Sequence, residues 1–546
     1  MFTFLNRESK TIIGAATVVG VLSFVSRIVG LVRDRLLAGA FGAGDTLDVY
    51  YAAFKIPDLL FSLIVVGALS ASFIPLFLSH WSPVRPGQPG GHPDKRAQAW
   101  SFTNNAVHLI GVSMIVISMF LALFAHPLAQ LIAPGFAPFK QDQVAVFMRI
   151  MFFSQILLSI SLVYGSVLQS LKRFFFYSLA PIFYNVGIIV GAIWLVPLFG
   201  SIGLAWGVVF GATLHLLIQL LGLRQTGYRY AWRFNLVDQD TRSMLKLMVP
   251  RTLGLAVSQL LFVILGVLAT TLPSGSVTVF QFAYNIQFFP VGIIGVSFAI
   301  AAFPALAEKS EQKETEAFID ILVGTVRQII YLLAPMTILF LVLRSQVVRV
   351  VVGAGEFDWN ATIATSETLA FFALTFIPQS LITLFARGSF ALRDTTTPLL
   401  TGVVSAIIGI LVAQLLKEPF GVAALGMGYS VSALVQAMLL WILIRQRLGS
   451  LRESTLLPFL YKVITASLVG AVVMQGVKPF VVSLISLDTF FGVFSQGLLA
   501  GGCGLLAYLV VGHLLHIEEQ QRFFHSVKKN VLRRAMPTEA ASSNPT

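Results

Sequence analysis

One cysteine, Cys503, stands among 546 residues, so neither a disulfide framework nor a thiolate metal site is possible within the chain. It lies in an apolar run and reads as packing. Charge is scarce as well: 11% of residues are charged and 56% are hydrophobic, with a mean hydropathy of +0.84. No soluble core of this length requires that composition, and the chain reads as an all-α polytopic membrane protein. Phosphate-binding P-loops, Gly-x-Ser-x-Gly elbows and His/Cys metal spacings are missing, and the eight histidines are scattered. Gly353-Ala354-Gly355 is too short and lies outside any βαβ context for a phosphate-cradling role. Enzymatic turnover is therefore not indicated, and no cofactor or metal is expected. Acids are scarcer than bases, 24 against 37, for a net charge of +13. The bases lie between apolar spans rather than in one patch, which fits positive-inside topology better than a nucleic-acid partner.

Apolar runs dominate what is present. At about 20 residues per span, with longer bent helices where Gly or Pro interrupts, about fourteen transmembrane helices are expected. They fall near 11–36, 46–78, 101–125, 143–171, 175–198, 202–223, 244–272, 276–307, 317–344, 362–390, 397–416, 421–445, 456–477 and 488–515. The first run carries Arg27 and lacks a convincing small-residue cleavage site, so it reads as a retained helix. With the N-terminus in the cytoplasm, inner connections hold Arg224, Arg229, Arg233, Arg242, Lys309, Arg445 and Arg447 among others. Outer ones hold mainly Lys140, Arg344, Arg349, Lys417 and Lys478. That asymmetry places both termini inside and requires an even number of spans. Ser82–Gln98 is a Pro/Gly-rich loop whose His92 reads as solvent-exposed. Gln225–Asp240 is a polar connection in which Tyr228, Tyr230, Trp232 and Phe234 suit an interfacial amphipathic piece.

An internal repeat organises the spans. GLAWGVVFGATLHLLIQLLGLRQ (203–225) and ALGMGYSVSALVQAMLLWILIRQ (424–446) superpose with Leu204/Leu425, Gly207/Gly428, Ala212/Ala433 and Arg224/Arg445 identical. The stretch 49–75 resembles 279–304 in the same way, and the region before Pro181 pairs with that before Pro398. Repeats with an even number of spans share one membrane orientation and are related by an axis along the membrane normal. The expected organisation is two six-helix lobes, 1–224 and 244–447, joined by a cytoplasmic linker at 225–243. Two appended helices follow at 448–516, then a basic, partly disordered tail at 517–546.

The informative stretch runs from Ser26 to Pro75. Arg27, Arg33, Asp34 and Arg35 stand near the end of one apolar helix, and Asp48, Lys55 and Asp58 in the next. An ionisable side chain at bilayer depth costs roughly 2.5–3.5 kcal/mol on insertion scales, so such groups face a wet cavity or a partner. At 100° per residue, positions seven apart lie about 20° from one face, so Arg27 with Asp34, and Asp48 with Lys55, let each helix present one acid and one base in one direction. The plainer reading is headgroup snorkels and interhelical salt bridges at helix ends. Gly39, Gly42 and Gly44 interrupt this first hairpin and read either as a hinge or as a static tight turn.

The run from Ser26-Arg27 to Arg33-Asp34, then FGAGDTLDVYYAAFKIPDLL and GALSASFIP, resembles the MurJ (MviN) lipid II flippases of the multidrug/oligosaccharidyl-lipid/polysaccharide exporter superfamily. APGF (133–136), RIM (149–151), LAPIFYN (179–185), VSQ (257–259), SGSV (274–277) and ARGSFALRDTTTP (386–398) add to the likeness. The resemblance implies movement of an undecaprenyl-pyrophosphate-linked peptidoglycan precursor between leaflets of the bacterial cytoplasmic membrane by alternating access. Its partners would be that anionic lipid, membrane lipids and a coupling ion, with no nucleic acid. By motif, Arg27, Arg33, Asp34, Asp48 and Lys55 match family positions and become candidate substrate-binding residues. Arg offers a planar fork suited to bidentate phosphate binding.

The chain departs from the family pattern at four places. A basic pair is replaced by Phe61 and Ser62, an acid by Val66, and an arginine of the eighth span by Asn285. Arg251 is a candidate substitute cation. These departures leave open another polyprenyl-pyrophosphate-linked glycan as cargo, a cation-coupled multidrug exporter, or a non-transporting scaffold.

Overall fold

The computed structural model describes residues 12–63, 67–81, 93–224 and 226–522, without the side chains of 12–16, 67–72, 93–95, 247–256 and 258. The expectations for His92, for Val66, for the Arg251 side chain and for the tail beyond 522 lie outside the described residues. Among the described residues there is no β-strand. Helix is what an apolar run must form in lipid, because every backbone N–H and C=O has to be satisfied within the segment.

In chain order the helices are α1 (Ile12–Phe41), α2 (Asp45–Phe61), α3 (Gly67–His80), α4 (Pro93–Leu123), α5 (Ala125–Ile132) and α6 (Pro138–Ser170). Next come α7 (Phe174–Phe199), α8 (Ile202–Leu223), α9 (Gln239–Thr270) and α10 (Ser276–Glu311). The rest are α11 (Thr315–Val342), α12 (Arg344–Val351), α13 (Trp359–Ala373), α14 (Phe376–Ala391), α15 (Thr396–Phe420), α16 (Ala423–Leu448), α17 (Glu453–Val482) and α18 (Phe490–Leu514). A π-helical turn sits inside α7 at Gly191–Leu195 and inside α10 at Val291–Gly295, directly after Pro290, which has no N–H to donate.

Ten described helices are each long and apolar enough to cross a membrane, or eleven if α13 and α14, bent by 42°, count as one span. The expected count of fourteen is thus not reached by this measure. Within the expected spans at 11–36, 46–78 and 244–272 the described residues are helical nonetheless. Helices α1 and α2 carry Arg27, Arg33, Asp34, Arg35, Asp48, Lys55 and Asp58 between them, and the described part of α2 is 17 residues long. Cys503, read as packing, is instead exposed on α18.

By backbone contacts the chain forms two compact units. The first contains the residues up to Ile286 with Val351–Thr368 and Gly402–Ser432; the second contains Gln287–Val350, Leu369–Thr401 and the chain from Ala433 on. Within the first unit, Gly207 of α8 meets Gly191 of α7 backbone to backbone, and Gly428 of α16 meets Gly409 of α15 in the same way. Gly207 and Gly428 are equivalent positions of the sequence repeat. Small residues let helix backbones approach closely in lipid, where no hydrophobic drive holds helices together. The linker after α8 is extended and lies along α4: Asn104 donates to the Arg229 carbonyl at 3.0 Å, and Asn105 to that of Asn235 at 2.9 Å. Its Tyr230, Trp232 and Phe234 are exposed.

The second unit packs Phe318, Leu322, Ile329, Leu333, Phe376 and Phe385 into a core between α10, α11, α14 and α17. Its ARGSFALRDTTTP motif is a helix stop and restart. Arg393 turns at φ +60°, and Asp394 then accepts from the Thr397 N–H at 3.0 Å, the Thr397 hydroxyl at 2.7 Å and Arg447 at 3.1 Å, which starts α15.

Candidate functional site

The first unit contains an open cavity of about 560 Å³, lined by α1, α2, α6, α7, α8, α9 and the first part of α10. Its charged lining residues are Arg33, Lys55 and Asp58. Tyr50, Tyr51 and Tyr184 add hydroxyls, and Gln155, Gln259, Gln281 and Asn285 add amides.

One hydrogen-bonded chain joins the two cations. Arg33 donates Nη1 to Asn185 Oδ1 at 2.8 Å, and Nε and Nη2 to Asp34 Oδ1 at 3.0 and 2.7 Å. Asp34, 2% exposed, accepts on its other oxygen from Asn285 Nδ2 at 2.9 Å. Gln281 Nε2 donates to Asn285 Oδ1 at 2.9 Å, and Lys55 Nζ donates to Gln281 Oε1 at 3.4 Å while standing 4.0 Å over the Phe262 ring. Helices α1, α2, α7 and α10 thereby fix the positions of both cations. Each cation keeps donors unspent: Arg33 carries five N–H groups and Lys55 three.

The cavity gathers some expected residues and leaves out others. Arg33 and Lys55 line it, and Asp34 braces Arg33 from behind. Phe61, Ser62 and Asn285, where the family pattern has cations, all line it, so the departures fall within the site itself. Arg27 is half-buried on α1 and outside the lining. Asp48 is elsewhere too. At 1% exposure it accepts from the backbone N–H groups of Gly275 and Thr278 at 2.7 and 2.9 Å and from the Thr278 hydroxyl at 2.8 Å, capping α10. A shared face does not name the partner: Asp34 bonds to its neighbour Arg33, and Asp48 to a helix N-terminus. An acid suits that terminus because it satisfies orphan N–H groups and the positive end of the dipole.

Around Asp48 the loops of the first unit close over one end. Lys140 Nζ lies 2.6 Å from Asp45 and 3.5 Å from Asp48, and Ser274 donates to Asp45 at 2.5 Å. Gly42 (φ +62°) is packed so that a Cβ there would stand 2.7 Å from the Glu356 carbonyl, and Gly275 (φ +90°) abuts the Ala43 backbone. Gly355 lies against the Gly39 carbonyl, which accepts from Glu356 N–H at 3.0 Å. Ala354, Gly355 and Glu356 thus form a tightly packed joint with the end of α1, and Gly42 makes a tight turn that only glycine adopts without strain.

The family model described as "Lipid II flippase MurJ" matches residues 37–493, the greater part of the chain. The chain belongs to the lipid II flippase MurJ family. Among relatives of that family, the lipid II flippase MurJ of Burkholderia cenocepacia is 28% identical over 478 residues, covering 83% of this chain and 87% of that one. The probable lipid II flippase MurJ of Haemophilus influenzae is 27% identical over 442 residues, covering 77% and 84%. A solved structure of a lipid II flippase MurJ in an inward closed conformation superposes with a TM-score of 0.72 at 20% identity, covering 92% of this chain and 99% of that one. An inward-facing multidrug MATE transporter of the MOP superfamily gives 0.64 at 12% identity, covering 80% and 99%. The MurJ fold is thus shared, and membership marks the chain as a multi-pass membrane transporter rather than a catalytic enzyme. Asn185, Gln281 and Gln155 were not singled out from the sequence. Their signal was polarity within apolar spans, and Asn185 closes the LAPIFYN motif that carried part of the likeness.

Proposed function

We propose that this chain moves lipid II from the cytoplasmic to the outer leaflet, with both termini in the cytoplasm, and that Arg33 and Lys55 receive the pyrophosphate. The observation that carries this is the pair of braced cations in the cavity of a MurJ-family chain. A diphosphate is a compact multiple anion, and a guanidinium and an ammonium in a walled, low-dielectric cavity are its complements. Asp34 keeps Arg33 charged and oriented, while Asn285 and Gln281 hold Asp34 and Lys55 without adding negative charge.

Alternating access then requires the Asp48 end to open. The contacts to be broken are those of Asp48 with the N-terminus of α10, of Lys140 with Asp45, and of Gly355 with Gly39. Arg27, outside the lining, and Arg251 remain candidates for contact with the headgroup on its way in. The test is rescue of a bacterium depleted of its own lipid II flippase, with flipping read by labelling of newly exposed lipid II. Expression at the membrane without rescue overturns the reading.

A further inference from the structure

The cavity has a second corner of opposite chemistry. Asp58, one turn beyond Lys55 on α2, is exposed to the cavity it lines, and its Oδ1 accepts from Gln155 Nε2 at 3.0 Å. Lys55 gives its hydrogen bond to Gln281 instead. Gln155, on α6, is 1% exposed. Its Nε2 must face the carboxylate, since the reversed amide would set oxygen against oxygen. That fixes Oε1 as an acceptor, and Oε1 is buried without a hydrogen-bond partner. A buried acceptor left unmade is unfavourable, and Gln155 lines the cavity beside Asp58, so acceptors outnumber donors at this corner.

The geometry points to a subsite at Asp58 and Gln155 for a primary ammonium carried on the headgroup of the cargo, separate from the Arg33–Lys55 anion subsite. This deepens the proposed function and rests on it. A zwitterionic headgroup, with its phosphates at one corner and its amine at the other, would then be oriented as well as held. Phe61 and Ser62, where the family pattern has bases, add no cation to the lining beyond Arg33 and Lys55.

The test uses the full-length protein in detergent and two short-chain polyprenyl-pyrophosphate glycolipids that differ only in a free or N-acetylated primary amine. The ratio of their affinities is read within each variant, so that overall weakening cancels. Wild type is expected to favour the free amine by about tenfold or more. Asp58→Asn should bring the ratio to about one, and Gln155→Leu should lower it severalfold. Equal binding of both probes by wild type, or undiminished preference in Asp58→Asn, overturns the subsite and leaves the flippase reading standing. Binding of neither probe by wild type removes the flippase reading, and the subsite with it. A third arm compares the acetylated probe in sodium chloride and choline chloride. Sodium-dependent binding that vanishes in Asp58→Asn would assign the corner to an inorganic cation and overturn the ammonium.

Discussion

Asn285 donates to Asp34 at 2.9 Å across 251 residues of chain, and so the residue that replaces a family arginine still does part of an arginine's work: it holds the acid that holds Arg33. Restoring the arginine keeps that contact and adds a cation to the lining. Asn285→Arg is therefore expected to rescue a flippase-depleted strain at lower expression than wild type, and to bind pyrophosphate lipids more tightly. Asn285→Leu strips Asp34 of a partner at a cost of about 1–3 kcal/mol. Rescue should weaken accordingly, measured as the expression level that supports growth.

Removing Arg33 has two effects that can be separated. Arg33→Ala leaves the buried Asp34 carboxylate without its counter-charge, and breaking such a pair costs about 3–5 kcal/mol. The double variant Arg33→Gln/Asp34→Asn removes both charges. It is expected to insert and melt near wild type yet fail to flip. Normal rescue by the double variant would move the anion site away from Arg33.

Asp48 caps α10 and neutralises Lys140, so Asp48→Ala should loosen the sealed end by about 1–3 kcal/mol. In a Cys503→Ala background, a cysteine at Ser274 is expected to react with a soluble maleimide several times faster when Asp48 is alanine. Unchanged labelling would mean that the glycine contacts and the Lys140–Asp45 pair hold this end without Asp48.

Asp394 offers a pH signature outside the spans. Burial raises its carboxyl, but hydrogen bonds from Thr397 and Thr396 and the charge of Arg447 hold it below the ordinary carboxylate range. Because the folded value is depressed, its stabilisation is present above the unfolded value and is lost as pH falls through the folded one. Thermal unfolding of wild type in detergent should therefore weaken on acidification by more than that of Asp394→Ala. The alanine variant should itself start about 1 kcal/mol lower near neutrality, for want of a helix cap.

A pyrophosphate lipid bears about two negative charges, and each is worth roughly 2.3 kcal/mol per 100 mV across the full field. With the interior negative, outward movement is downhill by about 4–5 kcal/mol if the protein's cations stay put. Collapsing the potential at constant ATP and pH gradient should slow flipping in reconstituted vesicles. Full-rate flipping that stops only when a sodium or proton gradient is removed would favour ion-coupled exchange.

The helices were legible because apolar runs in lipid have few alternatives, and the Gly207/Gly428 match was legible because close backbone approach demands a small residue at both copies. Arg33 and Lys55 stood out as charges where charge is costly. Periodicity could not choose their partners: it measures direction on an isolated helix, whereas Asp34 is bonded to its own neighbour and to α10, and Asp48 to a helix end brought near it by the fold. Asn185, Gln155 and Gln281 are uncharged, so only assembly of several helices shows that they converge.

The seal at Gly39, Gly42, Gly275 and Gly355 is built of main chain against main chain, and this sets how it yields. Dispersion between close-packed atoms is short-ranged: a gap of 0.5–1 Å forfeits about a quarter to a half of it. Such a joint weakens steeply once it has begun to part, and it regains its full grip only at full contact. Leakage by degrees is therefore disfavoured, and the barrier behaves as a latch rather than a valve, its threshold set by the few charges around Asp48 and its abruptness by the absence of side chains.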